Sequence, residues 1–122
     1  MSNCRCYTEN YSFVRGNTFT FNVQYSTFAG YPPVFTPIPI TGASILFNCY
    51  RYITDTTPLF SLAVGTGITI VGDGTLGQFT IIIPEAATLN LAIGIAYPYK
   101  CTVMPTNGTV DTVLDGFLTL LP

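Results

Sequence analysis

Thr18-Phe19-Thr20-Phe21-Asn22-Val23-Gln24 alternates polar and apolar residues without a break. Successive side chains of an extended strand point to opposite faces. Phe19, Phe21 and Val23 therefore share one face, and Thr18, Thr20, Asn22 and Gln24 share the other. Working outward, residues 44–53 predict a second, longer strand with Ile45, Phe47, Cys49 and Ile53 on one parity. Arg51 breaks that parity, and Tyr50 and Tyr52 make the opposite face partly apolar, as at an interface or on a covered sheet. Further strands are expected at about 58–63, 68–71, 76–83, 97–104 and 109–120, where Thr, Val, Ile, Phe and Tyr suit a pleated, half-buried surface.

Turn chemistry separates these runs. Gly65-Thr66-Gly67 and Gly72-Asp73-Gly74 supply positive φ angles, and Thr106-Asn107-Gly108 carries an Asn-Gly hairpin signal. Asp115-Gly116, inside the last strand, reads as a bulge or a short turn. Pro84-Glu85-Ala86-Ala87-Thr88-Leu89 predicts one helical turn, with proline at its first position and glutamate at the positive end of its dipole. Residues 28–39 contain four prolines and cannot donate a continuous ladder, so they are expected as a loop or an extended edge. Tyr31, Val34 and Phe35 are unusual choices for a solvated loop. They mark a partner-contacting segment, or a loop folded back over its own sheet edge. Seven to eight short antiparallel strands with Gly/Pro turns predict one all-β sandwich or small barrel spanning residues 1–122. No segment has room for crossover helices.

Composition then bears on function. Charged residues make up 8% of the 122-residue chain and apolar residues 48%, with a net charge of −2. Average soluble chains carry about 25% charged residues. So little charge gives weak solubility by self-repulsion, and surfaces covered by partner chains are the expected resolution. Arg5, Arg15, Arg51 and Lys100 are scattered, whereas nucleic-acid binding needs a basic stripe. Apolar runs are interrupted by Pro84, Glu85 and Pro98 and fall short of the about 20 residues of a membrane span. Residues 1–6 lack the apolar core of a signal peptide, which predicts synthesis in a cytosol. Nucleic acid and membrane are not expected partners.

The chain has no histidine, which removes Ser-His-Asp, Cys-His and His-based metal catalysis together. Each of the six carboxylates has a structural account as a turn, helix-start or strand residue, and no enzymatic activity, metal or cofactor is expected. Cys4-x-Cys6 lacks the second paired knuckle of a zinc site. Cys49 and Cys101 are expected on strands that face each other across the sandwich, as buried free thiols or as an intersheet disulfide. Eight tyrosines suit half-buried strand positions, sugar stacking or protein interfaces. Tyr7, Tyr11, Tyr31, Val34, Phe35, Tyr50 and Tyr52 are the candidate partner contacts.

The order of motifs carries a further reading. Val14-Arg15-Gly16-Asn17-Thr18-Phe19-Thr20-Phe21 opens the first clear strand, and Ile40-Thr41-Gly42-Ala43-Ser44-Ile45-Leu46-Phe47 follows after a loop. Gly67-Ile68-Thr69-Ile70, Gly77-Gln78-Phe79-Thr80-Ile81 and Asp115-Gly116-Phe117-Leu118-Thr119-Leu120 come later. The pattern resembles the small immunoglobulin-like β-sandwich domain of tailed-phage structural proteins, such as the N-terminal domain of baseplate upper proteins. Asn17 stands where that family often has Asp, and the proline-rich segment replaces a short turn. The resemblance implies an immunoglobulin-like sandwich and a virion structural subunit: tail, baseplate, neck or capsid decoration. Its partners would be copies of itself and other virion proteins, and it carries no catalytic residues. A sugar- or host-surface-binding module is the alternative. An N-terminal arm over residues 1–13 is expected to reach onto neighbouring chains, so that truncating residues 1–12 leaves the fold intact and weakens assembly.

Overall fold

The computed structural model describes residues 7–30, 34–89, 91–106 and 110–122. In chain order the strands are β1 (Tyr7–Thr8), β2 (Tyr11–Val14), β3 (Phe19–Gln24), β4 (Ser26–Ala29), β5 (Val34–Pro37), β6 (Ser44–Cys49), β7 (Phe60–Val64), β8 (Gly67–Ile70) and β9 (Gln78–Ile83). A single helical turn, α1 (Glu85–Thr88), then leads to β10 (Ala96–Met104) and β11 (Asp111–Leu121).

The expected alternation forms the core. Phe21 and Val23 of β3, Ile45, Phe47 and Cys49 of β6, and Phe79, Ile81 and Ile83 of β9 are buried, and their sequence neighbours on the other parity face outward or lie part-buried. Antiparallel ladders join β3 to β9, β9 to β8, β7 to β6, β6 to β10 and β10 to β11. The strands run in the order β1-β11-β10-β6-β7-β8-β9-β3, with β2 also on β11. This long sheet folds over at the β7–β8 corner, so that β8, β9 and β3 lie across from β6, β10 and β11. The rings of Phe21 and Phe47 meet across the layers at 6.1 Å, edge on. The result is an all-β sandwich.

The corner depends on Gly67, whose φ is +95°. A Cβ there would lie 2.8 Å from Leu62 Cδ2 and 3.1 Å from the Ile82 carbonyl, so only glycine lets the chain turn this tightly against β9.

Several details differ from the sequence expectation. Eleven short strands, rather than seven or eight, are present among the described residues, and not all ladders are antiparallel. β1 and β2 both run parallel to β11, and β7 pairs in parallel with β8. The β7–β8 pairing is the corner loop closing on itself: Ala63 N–H donates to Thr66 O, and Gly65 N–H to Ile68 O. Parallel pairing at β1 and β2 needs no local crossover, because the partner strand is the far end of the chain.

The strand expected over 44–53 stops at Cys49, where Leu59 N–H donates to Cys49 O and the chain turns back into β7. Of the two forms expected over 28–39, a loop or an extended edge, the described residues take the extended one. β4 and β5 make a two-stranded antiparallel ribbon, with Pro37 at its end opposite Ser26, where a missing donor costs least. Residues 31–33 lie outside the described residues, as do 107–109 of the expected Asn-Gly hairpin. Pro84 is the residue before the helical turn, extended at ψ 155°, rather than its first residue. The ladder between β10 and β11 runs through Gly116, and its irregularity falls between Cys101 and Thr102 instead.

The N-terminal segment is the largest correction. β1 and β2 are built into the chain's own sheet. Tyr11 packs among Phe21, Phe19 and Tyr99, with ring centroids at 4.7, 5.4 and 6.1 Å. Removing residues 1–12 would strip this packing from the sandwich, so an intact fold after truncation is no longer expected. Residues 1–6 lie outside the described residues.

Candidate interaction surface

The Tyr50–Asp55 turn brings two of the predicted contact residues, Tyr50 and Tyr52, together with the exposed Ile53. It begins where β6 ends, with Tyr50 N–H held by Pro98 O at 2.7 Å. Asp55 closes it: its N–H donates to Tyr52 O at 3.0 Å, and its Oδ2 accepts from Tyr52 N–H at 3.2 Å. An aspartate side chain that binds backbone this way suits a tight turn. The closed turn holds Tyr52 at 61% and Ile53 at 81% exposure. The Arg51 guanidinium lies 5.8 Å from the Tyr52 ring centroid. Its pKa is held above the ordinary value, first by its side-chain hydrogen bond to Tyr52.

A groove of about 320 Å³ runs between this turn and the β10–β11 pair. Tyr50, Ile53, Pro98 and Phe117 give it apolar walls, and Asp55, Lys100 and Asp115 give it charge. Lys100 and Asp115 are cross-strand partners, so their opposite charges sit side by side. The groove thus combines flat apolar surface with hydrogen-bonding groups of both signs.

The predicted contact residues do not form one surface. Tyr50 and Tyr52 come together at the turn, with Tyr50 half-buried and Tyr52 exposed. Val34 is 65% exposed on the β4–β5 ribbon, where Phe35 pairs with Phe28. Tyr7 pairs with Leu114 in β1. Tyr11 belongs to the core-facing ring cluster described above, and Tyr31 lies outside the described residues. Sequence reading missed Ile53, Leu76 and Val110 as exposed apolar residues; the last two are 58% and 59% exposed. Ile53 was assigned to the core parity of a strand that ends before it. Leu76 and Val110 fall inside the strands expected over 76–83 and 109–120, but β9 begins at Gln78 and β11 at Asp111, which leaves both outside the ladders.

Asp73 and Tyr25 have structural partners. Asp73 Oδ1 accepts from the hydroxyl and N–H of Thr75 at 2.7 and 3.1 Å, which lowers its pKa. The Tyr25 hydroxyl donates to Asp111 Oδ2. Cys49 and Cys101 are free and buried. They lie on adjacent strands of one layer, Cys49 opposite Tyr99 and Cys101 opposite Phe47, not on facing layers as expected. Burial pushes both thiols up to about 12, so neither is a thiolate nucleophile near neutral pH. Among the described residues no three His, Cys, Asp or Glu side chains gather as metal ligands. No helix among them is long and apolar enough to cross a membrane.

No protein-family model matches the chain, and no curated protein matches it. Among solved structures it is similar to the crystal structure of the titin M3 domain, at 18% identity over 97% of this chain and 93% of that one, with a TM-score of 0.45.

Proposed function

We propose that the chain is a virion structural subunit of a tailed phage or prophage, placed in the tail, baseplate, neck or capsid decoration and acting through protein–protein assembly rather than catalysis. One observation carries the reading. A chain with 8% charged residues holds Tyr52, Ile53 and Val34 largely exposed instead of folding them inward. Exposed apolar surface on a chain with so few charges favours burial against partners. The resemblance of the motif order to tailed-phage sandwich domains supports this kind of assembly. In that setting the sandwich is a rigid block, and its turn and ribbon meet copies of itself and other virion proteins. Neither nucleic acid nor membrane is a partner in this reading, and the subunit resides in the virion after synthesis in the host cytoplasm.

Light scattering on purified protein, together with a search for the chain in purified particles, tests the reading. Concentration-dependent oligomers and recovery in particles are expected. A protein that stays monomeric at high concentration and is absent from particles would refute it.

The groove beside the Tyr50–Asp55 turn favours a second reading, a sugar- or host-surface-binding module. Tyr50 and Phe117 offer stacking faces, and Asp55, Lys100 and Asp115 offer hydrogen bonds. Binding on a glycan array, lost in Tyr50→Ala, would move the assignment to this reading.

A further inference from the structure

β3 ends the sheet order, and among the described residues no strand pairs with its second edge. Which of its main-chain groups face that edge follows from the ladder. Tyr25 N–H donates to Gly77 O at 2.7 Å, and Val71 N–H to Gln78 O at 2.9 Å. Residues of an antiparallel strand alternate between bonding to one neighbour and to the other. With Phe19, Phe21 and Val23 opposite Ile83, Ile81 and Phe79, the N–H and C=O groups of Thr20, Asn22 and Gln24 point away from β9.

Native sheets protect such edges with lysine, proline, bulges or a covering segment. β3 has six residues in unbroken register with β9, and its sequence Phe-Thr-Phe-Asn-Val-Gln holds neither charge nor proline. The competing edge is β2, which has four residues, is separated from β1 at Glu9–Asn10 and is followed by Arg15. The β5 edge contains Pro37.

From this edge we infer that β3 pairs antiparallel with β3 of a second copy of this chain, about a two-fold axis at Asn22. That axis sets Thr20 opposite Gln24 of the second copy, Asn22 opposite Asn22, and Gln24 opposite Thr20. All three pairs then present their outward N–H and C=O groups to each other. The side chains that meet are neutral, so no like charges oppose each other, as they would in a self-pairing edge that carried lysine or glutamate. The Asn22 Oδ1 accepts from Thr80 Oγ1 at 2.8 Å, which orients its amide NH2 for the Asn22 side chain of the other copy. A groove of about 260 Å³, lined by Glu9, Tyr11, Asn22, Val23, Gln24 and Leu114, opens beside the Asn22–Gln24 end of the strand. An edge that pairs with its own copy about a two-fold axis is used up by that pairing, so it closes as a dimer and does not propagate as a fibre.

This inference deepens the assembly reading and rests on it. The test uses the full chain in sedimentation velocity over a concentration series, with amide hydrogen exchange on the same samples. Wild type is expected to dimerise, with exchange at Thr20, Asn22 and Gln24 slowing as concentration rises. Asn22→Lys sets two lysines face to face and is expected to weaken dimerisation at least about tenfold. Asn22→Pro removes an outward donor while sparing the bonds to β9, and is expected to act likewise. Thr69→Lys adds the same charge on β8, away from the edge, and is expected to leave dimerisation unchanged. Urea unfolding confirms that each variant folds. Association that persists in both Asn22 variants, or exchange at the three amides that ignores concentration, overturns the β3 pairing and leaves the structural-subunit reading standing. A monomeric wild type also overturns the pairing; recovery of the chain in particles then judges the wider reading separately.

Discussion

The Tyr99 hydroxyl donates a 2.6 Å hydrogen bond to the main-chain carbonyl of Glu9, 90 residues earlier. Glu9 lies in the break between β1 and β2, where the N-terminal strand loses its ladder to β11. Two other bonds bridge the same break: Glu9 N–H to Asp115 O at 2.8 Å, and Phe117 N–H to Asn10 Oδ1 at 3.0 Å. Tyr99 thus ties the start of the chain to its centre, and desolvation of its phenol raises its pKa. Tyr99→Phe keeps the ring stack on Phe47, at 5.1 Å, and removes only the donor. We expect a loss of about 1 kcal/mol, the usual net worth of one such bond. Urea unfolding measures it, and faster amide exchange confined to residues 7–14 would place the effect.

Gly116 sits beneath the same carbonyl. A Cβ at this position would lie 1.9 Å from Glu9 O and 2.7 Å from Glu9 C, and the backbone φ is +148°. Gly116→Ala must therefore displace the N-terminal strand or strain β11, at an expected cost of roughly 2–4 kcal/mol. Gly72 separates the two causes. Its φ is also positive, at +63°, yet nothing lies within 4 Å of its Cβ position. Gly72→Ala should cost only about 1 kcal/mol, from conformation alone. Equal melting-temperature losses in the two variants would show that the Glu9 contact has no weight.

This knot also shows what was legible in the sequence. β3, β6 and β9 were readable because one face of each is buried and the other is not, which writes period two into the residues. β1 and β2 were not readable. They are short, they lie on an edge, and their partner is the opposite end of the chain, so no local pattern records the pairing. The tyrosines posed a related difficulty, because a half-polar side chain serves the core as readily as a surface. Tyr97 and Tyr99 are buried because each hydroxyl finds a partner, Ala92 N–H for Tyr97 and Glu9 O for Tyr99. Tyr52 has a similar sequence setting and remains outside. Only the turn at Asp55, which ends β6 early, separates it from the core tyrosines.

The two buried thiols give stability a dependence on pH. Burial raises the Cys49 and Cys101 thiols from an ordinary 9.0 to about 12, so the fold favours their neutral forms. A group whose folded pKa lies above its unfolded value stabilises fully below the unfolded pKa and loses that contribution as pH rises through the folded one. Stability should therefore hold at neutral pH and fall between about pH 9 and pH 12. Urea midpoints across that range are expected to drop less steeply in Cys49→Ala/Cys101→Ala, although the double variant starts from lower stability because of the cavities it creates. A slope unchanged by the substitutions would assign the alkaline loss to other groups.

The Tyr50–Asp55 turn separates stability from assembly. Tyr52 and Ile53 are 61% and 81% exposed, and the bonds that close the turn come from main-chain groups and the Asp55 carboxylate. Replacing both exposed side chains with serine removes apolar surface but none of those bonds, so stability should shift by no more than about 0.5 kcal/mol. If the turn meets a partner, Tyr52→Ser/Ile53→Ser also removes the apolar surface that the contact would bury. We therefore expect its association or particle incorporation to weaken by about tenfold or more, since loss of a central aromatic or aliphatic anchor commonly costs over 1 kcal/mol of binding. Co-assembly of tagged wild-type and variant chains in competition reads this directly. Equal incorporation at equal stability would remove the turn from the interface and leave the β4–β5 ribbon, with its exposed Val34, as the next surface to vary.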